Sequence, residues 1–271
     1  YSEPGSGSDL ASLQTRAHVD GDDFVINGSK IWTSGAKTAQ MMFCLVRTEP
    51  DRPKHQGISY LLIPMETPGR EVRPLKQMTG DSLFNEVFFT ECRVPTTEIV
   101  GNRGEGWFVA NESLKHERGG IGDPKEAEKR FRYVLELMKK ETVGGQRVID
   151  IPSFRDRAMR LQARVLSMKF NGMRCLSHDI KREEPGLPRW IVKLQGCELN
   201  HQVAGLAIDV MGELGILYDE SPYLRDDGQW QYRYMMDLGL IIGGGTAQIQ
   251  KNIIGERALG LPKEPKFEKP I

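Results

Sequence analysis

Phe24-Val25-Ile26-Asn27-Gly28-Ser29-Lys30-Ile31-Trp32-Thr33-Ser34-Gly35 is the stretch that decides the fold of the first third of the chain. Two apolar runs flank an Asn-Gly pair, which readily takes the positive φ angles of a tight turn, so the stretch reads as a β-hairpin. Upstream, Thr15 to Asp20 forms a short run that closes on the turn signal Asp20-Gly21-Asp22-Asp23. Downstream, Met41 to Val46 and Ile58 to Ile63 are compact apolar runs of strand length, and Phe84 to Thr90 alternates as a half-buried strand does. Pro50, Pro53, Pro64, Pro68, Pro74 and Pro95 fall between these runs or at their edges, where a missing N–H is tolerated. Short strands at this spacing predict a small antiparallel β-barrel or sandwich over residues 1–100.

The character changes near Gly101-Asn102-Arg103-Gly104-Glu105-Gly106, after which the periodicity is helical. Phe154, Ala158, Leu161, Val165, Met168, Gly172 and Cys175 recur at three- and four-residue steps, a long amphipathic seam with Ser153 as its cap and Glu183-Glu184-Pro185-Gly186 as its end. A second long helix is expected from Arg189 to Met211, closing at Gly212 or Gly215, with a charged, solvated helix at Lys125 to Lys140 and a terminal one at Thr246 to Ala258. Residues 101–271 therefore predict an antiparallel helical bundle. The whole is an α+β multidomain chain.

Lys plus Arg total 37 and so do Asp plus Glu, which excludes a polybasic nucleic-acid binder and an acidic disordered tail. No apolar run reaches the roughly 18 residues of a membrane span. Cys44, Cys92, Cys175 and Cys197 stand far apart without a CxxC pair, which reads as reduced core thiols and a reducing compartment, the cytoplasm or, in a eukaryote, the mitochondrial matrix. His116, His178 and His201 lack metal-ligand spacing, and no metal is expected. The chain opens on Tyr1 and runs at once into a glycine-serine loop, as the middle of a longer protein would. No P-loop, GxGxxG, HExxH or GxSxG is present, and by spacing alone Gly243-Gly244-Gly245 is a flexible turn between helices.

Three segments taken together resemble the acyl-CoA dehydrogenases: Ser2-Glu3-Pro4-Gly5-Ser6-Gly7-Ser8-Asp9, Ile26 to Gly35, and Gly245-Thr246-Ala247-Gln248-Ile249-Gln250 with Arg257. The resemblance runs from residue 1 to about 262 and implies a flavin-contacting middle β domain, a C-terminal helical domain, and an N-terminal helical domain that this chain lacks. It also implies a tetramer carrying FAD that oxidises the Cα–Cβ bond of acyl-CoA thioesters and passes electrons to an electron-transfer flavoprotein or similar acceptor. That chemistry needs a carboxylate against the thioester α-proton, hydrogen-bond donors at the enolate oxygen, and a flavin on the opposite side of the acyl chain to take the β-hydride.

The family's usual base is a Glu directly before the Gly-Thr of the closing loop, where this chain has Gly244. The branch that includes isovaleryl- and long-chain acyl-CoA dehydrogenases carries the base before an Arg on the first helix of the C-terminal domain, and here that site reads His116-Glu117-Arg118. The resemblance thus makes Glu117 the base, Arg118 its substrate-binding neighbour, and Gly244 a backbone donor to the thioester carbonyl whose missing side chain leaves room for the carboxylate. Ser2, Ser8, Trp32, Ser34, Thr246 and Gln248 fall where the family holds FAD, and Ser8 also where it meets substrate. The family's Gln-x-x-Gly-Gly-x-Gly survives only as Asp209-Val210-Met211-Gly212-Glu213-Leu214-Gly215, which alters the adenosine half or leaves it to a partner subunit. Gly119 and Gly120 leave volume for a bulky, branched or steroid-type acyl group. Two alternatives stay open: a non-catalytic subunit of a heteromeric dehydrogenase, and a flavin monooxygenase or nitroalkane oxidase on the same fold.

Overall fold

A computed structural model describes residues 1–117, 120–263 and 265, with only the backbone of 115–117. The chain divides into two compact units, Tyr1–His116 and Glu117–Ile271.

The first unit is built on six strands: β1 (Arg16–Asp20), β2 (Asp23–Ser34), β3 (Met41–Arg47), β4 (Ile58–Pro64), β5 (Arg70–Leu75) and β6 (Phe84–Pro95). They form one sheet in the order β4-β3-β1-β2-β6-β5. All pairings are antiparallel except a single parallel contact between β1 and β3 at Arg16 and Arg47. Among the described residues β4 and β5 do not pair, so the expected barrel is an open sheet. Its β4 edge is covered in part by the chain leaving β6, where Leu61 bridges Ile99 and the Val100 N–H donates to Tyr60 O at 2.9 Å. Ile26, Leu61, Ile63, Val87 and Val94 are fully buried in the core, each side chain contributing about 1.5–3 kcal/mol of burial.

Asn27-Gly28 is not a hairpin turn. The turn is the two-residue Gly21-Asp22 link between β1 and β2, and β2 runs straight through Asn27 and Gly28 with a register shift against β6 between Ile26 and Gly28. The bulge has a cause on each side of it. Asn27 Nδ2 donates to Glu91 Oε1 at 2.7 Å and Asn27 Oδ1 accepts from the Glu91 N–H at 2.9 Å, tying the bulge to β6. Gly28 sits at φ +144°, where a Cβ would lie 2.7 Å from Thr15 Cα. Glycine is needed here for close approach of backbones rather than for a reverse turn.

Helix α1 (Gly106–Glu117) belongs largely to this unit. Ala110, with Trp107 and Val109, packs on Leu13, Leu45, Ile58 and Tyr60. The periodicity becomes helical near residue 101, but the apolar face of that first helix is claimed by the sheet.

The second unit contains α2 (Pro124–Lys140), α3 (Pro152–Lys181), α4 (Leu187–Met211), α5 (Gln229–Ile242) and α6 (Ala247–Ile253), the last continued by a π-turn over Ile254–Ala258. The seam on α3 is as spaced: Ala158, Leu161, Val165 and Met168 are buried, with Phe154 and Cys175 packed beside them. Ser153 is not its cap. The helix starts at Pro152, whose fixed φ suits the first turn, and Ile151 holds the cap position without a side-chain bond. Helix α2 is not solvated all round, since Ala127, Phe131, Val134, Leu137 and Met138 enter the same core. Helix α5, shorter than α3 and α4, is a helix that the sequence reading did not place. Its Asp237 is buried and paired with Arg130 of α2 at 2.8 Å, and burial pushes the Asp237 carboxyl up against the pull of that guanidinium. No helix among the described residues is long and apolar enough to cross a membrane.

Candidate functional site

The first unit brings together Ser2, Trp32 and Ser34. Glu3 to Ser6 forms a tight turn bonded in both directions, Glu3 N–H to Ser6 O at 3.1 Å and Ser6 N–H to Glu3 O at 3.0 Å. The loop is laid along β2 because the Ile31 N–H donates to Ser2 O at 2.9 Å. Beneath it a buried ion pair joins Lys30 Nζ to Glu3 Oε1 at 2.7 Å, with the two side chains 0% and 6% exposed. The Glu3 carboxylate also accepts the N–H groups of Gln14 and Thr15, and Lys30 donates to Tyr1 O at 3.3 Å. Burial alone pushes the Glu3 carboxyl up, yet the Lys30 charge and the hydrogen bonds from Lys30, Thr15 and Gln14 hold it below 4.5.

Two residues beyond Lys30 the ladder slips again, between Lys30 and Thr33, and Trp32 takes φ +61°. A left-handed conformation is a strained choice for a bulky side chain. It leaves Trp32 59% exposed, its ring edge-on to Phe84 with centroids 6.1 Å apart. Ser34 and Ser8 are exposed as well. Beside the bulge, Thr33 Oγ1 and Asn85 Oδ1 are buried polar atoms with no hydrogen-bond partner among the described residues. An exposed indole held in a strained bulge, with a buried hydroxyl and a buried amide oxygen left without partners beside it, suits a flat, polar-rimmed ring system such as a flavin.

The second unit brings together Gly244, Thr246 and Gln248 on the link between α5 and α6. Gly244 and Gly245 have φ +64° and +95°, and Thr246 caps α6 by accepting from the Ile249 N–H at 3.3 Å. The loop carbonyls are occupied: Gln250 Nε2 donates to Gly244 O at 3.0 Å, and the buried Lys193 ammonium donates to Ile241 O at 2.8 Å and to Gly245 O. The N–H groups of Gly244, Gly245 and Thr246 meet no acceptor among the described residues. A Cβ on Gly244 would lie 2.8 Å from Ile121 Cδ1. The room left by the missing side chain is thus taken up in part by Ile121, and the backbone angle independently disfavours any other residue there.

The Glu117 side chain, Arg118 and Gly119 lie outside the described residues; the Glu117 backbone is the last residue of α1. Asp209 pairs with Arg157 at 2.7 Å, so the acidic residue that replaces the family's Gln is neutralised within its own unit, and Glu213 is exposed just after the α4 cap at Gly212. The four cysteines are unpaired, and burial pushes the Cys92 thiol up to about 11. No cluster of metal-ligating side chains is found among the described residues. The surface grooves along α2, lined by Lys129, Arg132, Tyr133 and Glu136, hold none of the candidate residues.

Sequence reasoning missed the roles of four residues: Lys193, Ile121 and the pair Glu3–Lys30. Lys193 carried a signal, as the lone cation in Trp190-Ile191-Val192-Lys193-Leu194, where its neighbours are core residues.

Two glycine-bearing loops on a β unit followed by a helical unit define a class. Residues 1–92 match the family model "Acyl-CoA dehydrogenase, middle domain" and residues 104–259 match "Acyl-CoA dehydrogenase, C-terminal domain". The chain belongs to the acyl-CoA dehydrogenase family. It is 38% identical over 268 residues to acyl-CoA dehydrogenase IpdE1 of Mycobacterium tuberculosis, a match covering 98% of this chain and 67% of that protein. Among solved structures it is similar to a Tcur3481-Tcur3483 steroid ACAD, with TM-score 0.89 and 31% identity over 97% of this chain and 67% of that one. It is also similar to the ChsE4-ChsE5 complex of Mycobacterium tuberculosis, with TM-score 0.87 and 34% identity over 97% of this chain and 68% of that one.

Proposed function

We propose that this chain supplies the middle and C-terminal domains of an FAD-dependent acyl-CoA dehydrogenase, with Glu117 as the base that removes the thioester α-proton. The observation that carries the reading is the Gly244–Gly245 turn, whose carbonyls accept from Gln250 and Lys193 and whose N–H groups meet no acceptor among the described residues. Such a loop offers donors to an oxyanion and has no place for a carboxylate of its own, since Gly244 is left-handed and faces Ile121. The base must then come from elsewhere, and Glu117 stands where one branch of the family keeps it.

In this reading the Gly244 N–H donates to the thioester carbonyl, which acidifies the α-carbon, and the Glu117 carboxylate takes the proton. Arg118 and Ser8 bind substrate. Ser2, Ser8, Trp32 and Ser34 from the β unit, with Thr246 and Gln248 from the helical unit, would hold FAD. When bound, that group supplies the two-electron acceptor for the β-hydrogen. The electron acceptor of the whole enzyme would be an electron-transfer flavoprotein or a similar carrier. The named steroid ACAD among the similar structures supports a bulky, steroid-type acyl group over a short straight one. Glu117→Gln in the full-length, flavin-loaded protein is expected to lower turnover about 10³-fold or more with acyl-CoA still bound. Turnover near wild type removes Glu117 as the base.

A second reading has one observation in its favour. One of the similar structures is named as the ChsE4-ChsE5 complex, and here Asp209, held by Arg157, replaces the family's Gln at the adenosine side. A heterotetramer in which a second chain completes the adenosine site is consistent with both. Purification decides: a yellow protein of this chain alone supports a homotetramer, whereas a colourless chain that gains flavin on adding a second subunit supports the heteromer.

A further inference from the structure

We propose that Lys193 is a positioning residue of the catalytic loop: by holding Ile241 O and Gly245 O, it fixes the orientation in which the Gly244 N–H meets the substrate carbonyl. The inference rests on the reading of that loop as the oxyanion site. Lys193 is 3% exposed, in a helix whose neighbouring positions Val192, Leu194, Gly196 and Cys197 are buried. A buried ammonium is costly unless it is hydrogen-bonded, and here its partners straddle the loop. Ile241 O belongs to the last turn of α5, the negative end of that helix, and Gly245 O lies beyond the two left-handed glycines. One compact group with three donors thus spans the loop on its carbonyl side. Gln250 holds the carbonyl between, at Gly244. The Gly244 N–H belongs to the Gly243–Gly244 amide, which lies between the Gly243 N–H, donated to Gly239 O at 2.7 Å, and the held carbonyls of Gly244 and Gly245, so its rotation is limited from both sides. Without the clamp, the Gly243–Gly245 segment retains the conformational freedom of three consecutive glycines.

The test uses the full-length, flavin-loaded protein with an acyl-CoA labelled with ¹³C at the thioester carbonyl, whose stretching frequency is read by infrared difference spectroscopy. Wild type is expected to move the stretch to lower frequency than in free acyl-CoA. Lys193→Met is expected to return it most of the way to the free value and to lower kcat about 30-fold with KM within about 3-fold, a fraction of the loss seen when an oxyanion donor is deleted outright. Lys193→Gln, which keeps a donor, should recover part of both. A Lys193→Met protein with the wild-type carbonyl frequency overturns the proposal, whether or not its melting temperature or kcat falls, because a merely structural lysine gives that result. If Lys193→Met does not fold, Gln250→Leu removes the clamp on Gly244 O instead: a smaller shift of the same sign supports the proposal, and an unchanged frequency overturns it. Glu117→Gln separates this from the base assignment, since it should abolish turnover and leave the carbonyl shift in place. An unshifted carbonyl in wild type overturns the reading of the loop, and this proposal with it.

Discussion

Each unit pins its candidate loop with a buried lysine, but the two lysines are partnered differently. In the β unit Lys30 meets the Glu3 carboxylate, and that carboxylate gathers the N–H groups of Gln14 and Thr15, so a charged pair holds the Ser2-to-Asp9 loop against β2. In the helical unit Lys193 reaches the backbone carbonyls of the glycine loop itself. The difference teaches which property each loop depends on. The first is held by a titratable partner and should loosen in acid. In the second, the lysine's loop partners are backbone carbonyls, which do not titrate, and the loop's geometry should depend on the lysine being there.

The largest effect that sharpens this contrast is Lys30→Met. It strands Glu3 as a buried, unpaired carboxylate, which should destabilise the protein by about 3–5 kcal/mol in urea unfolding. A loss below about 1 kcal/mol breaks the claim that the pair holds the loop. Next comes Gly244→Ala, which adds a Cβ 2.8 Å from Ile121 Cδ1 at φ +64°. It should cost about 1–2 kcal/mol of stability and, by turning the loop, more than 10-fold in kcat. The paired change Ile121→Ala/Gly244→Ala should regain part of the stability, because it relieves the collision and leaves the backbone strain.

A smaller effect is the acid limb. The folded-state Glu3 carboxyl lies below its unfolded value near 4.5, so its contribution is fully present above that pH and is lost as pH falls through the folded value. Glu3→Gln should therefore flatten the dependence of stability on pH below about 4.5, and an unchanged slope there removes Glu3 as its source. Smallest in stability is Trp32→Gly. Relief of the left-handed strain should offset the lost packing on Phe84 to within about 1 kcal/mol, while flavin affinity falls at least 10-fold if the indole faces the flavin.

The strands and long helices were legible because their apolar spacing is regular: the α3 seam and the runs at Met41 and Ile58 appear where the pattern puts them. Asn27-Gly28 misled because the same dipeptide that favours a turn also suits a bulge, and only the neighbours Thr15 and Glu91 decide between them. A barrel or sandwich was expected because the strands are short and evenly spaced; the barrel does not close, since β4 finds Ile99 and Tyr60 finds Val100, which covers that edge without β5. At the site, the glycine loop and Trp32 could be located by motif, whereas the strain at Trp32 and the lysine clamp depend on residues distant in sequence. A carbonyl accepting from Lys193 fifty-two positions away leaves no local signature.

The central claim is that Glu117 removes the α-proton while the Gly244 loop polarises the carbonyl. The most direct measurement is exchange of the acyl-CoA α-proton in D₂O, followed by NMR on the full-length, flavin-loaded protein. Wild type should exchange the α-position, and Glu117→Gln should slow that exchange about 10³-fold while the bound thioester carbonyl stays shifted. Exchange at the wild-type rate in Glu117→Gln would contradict the account.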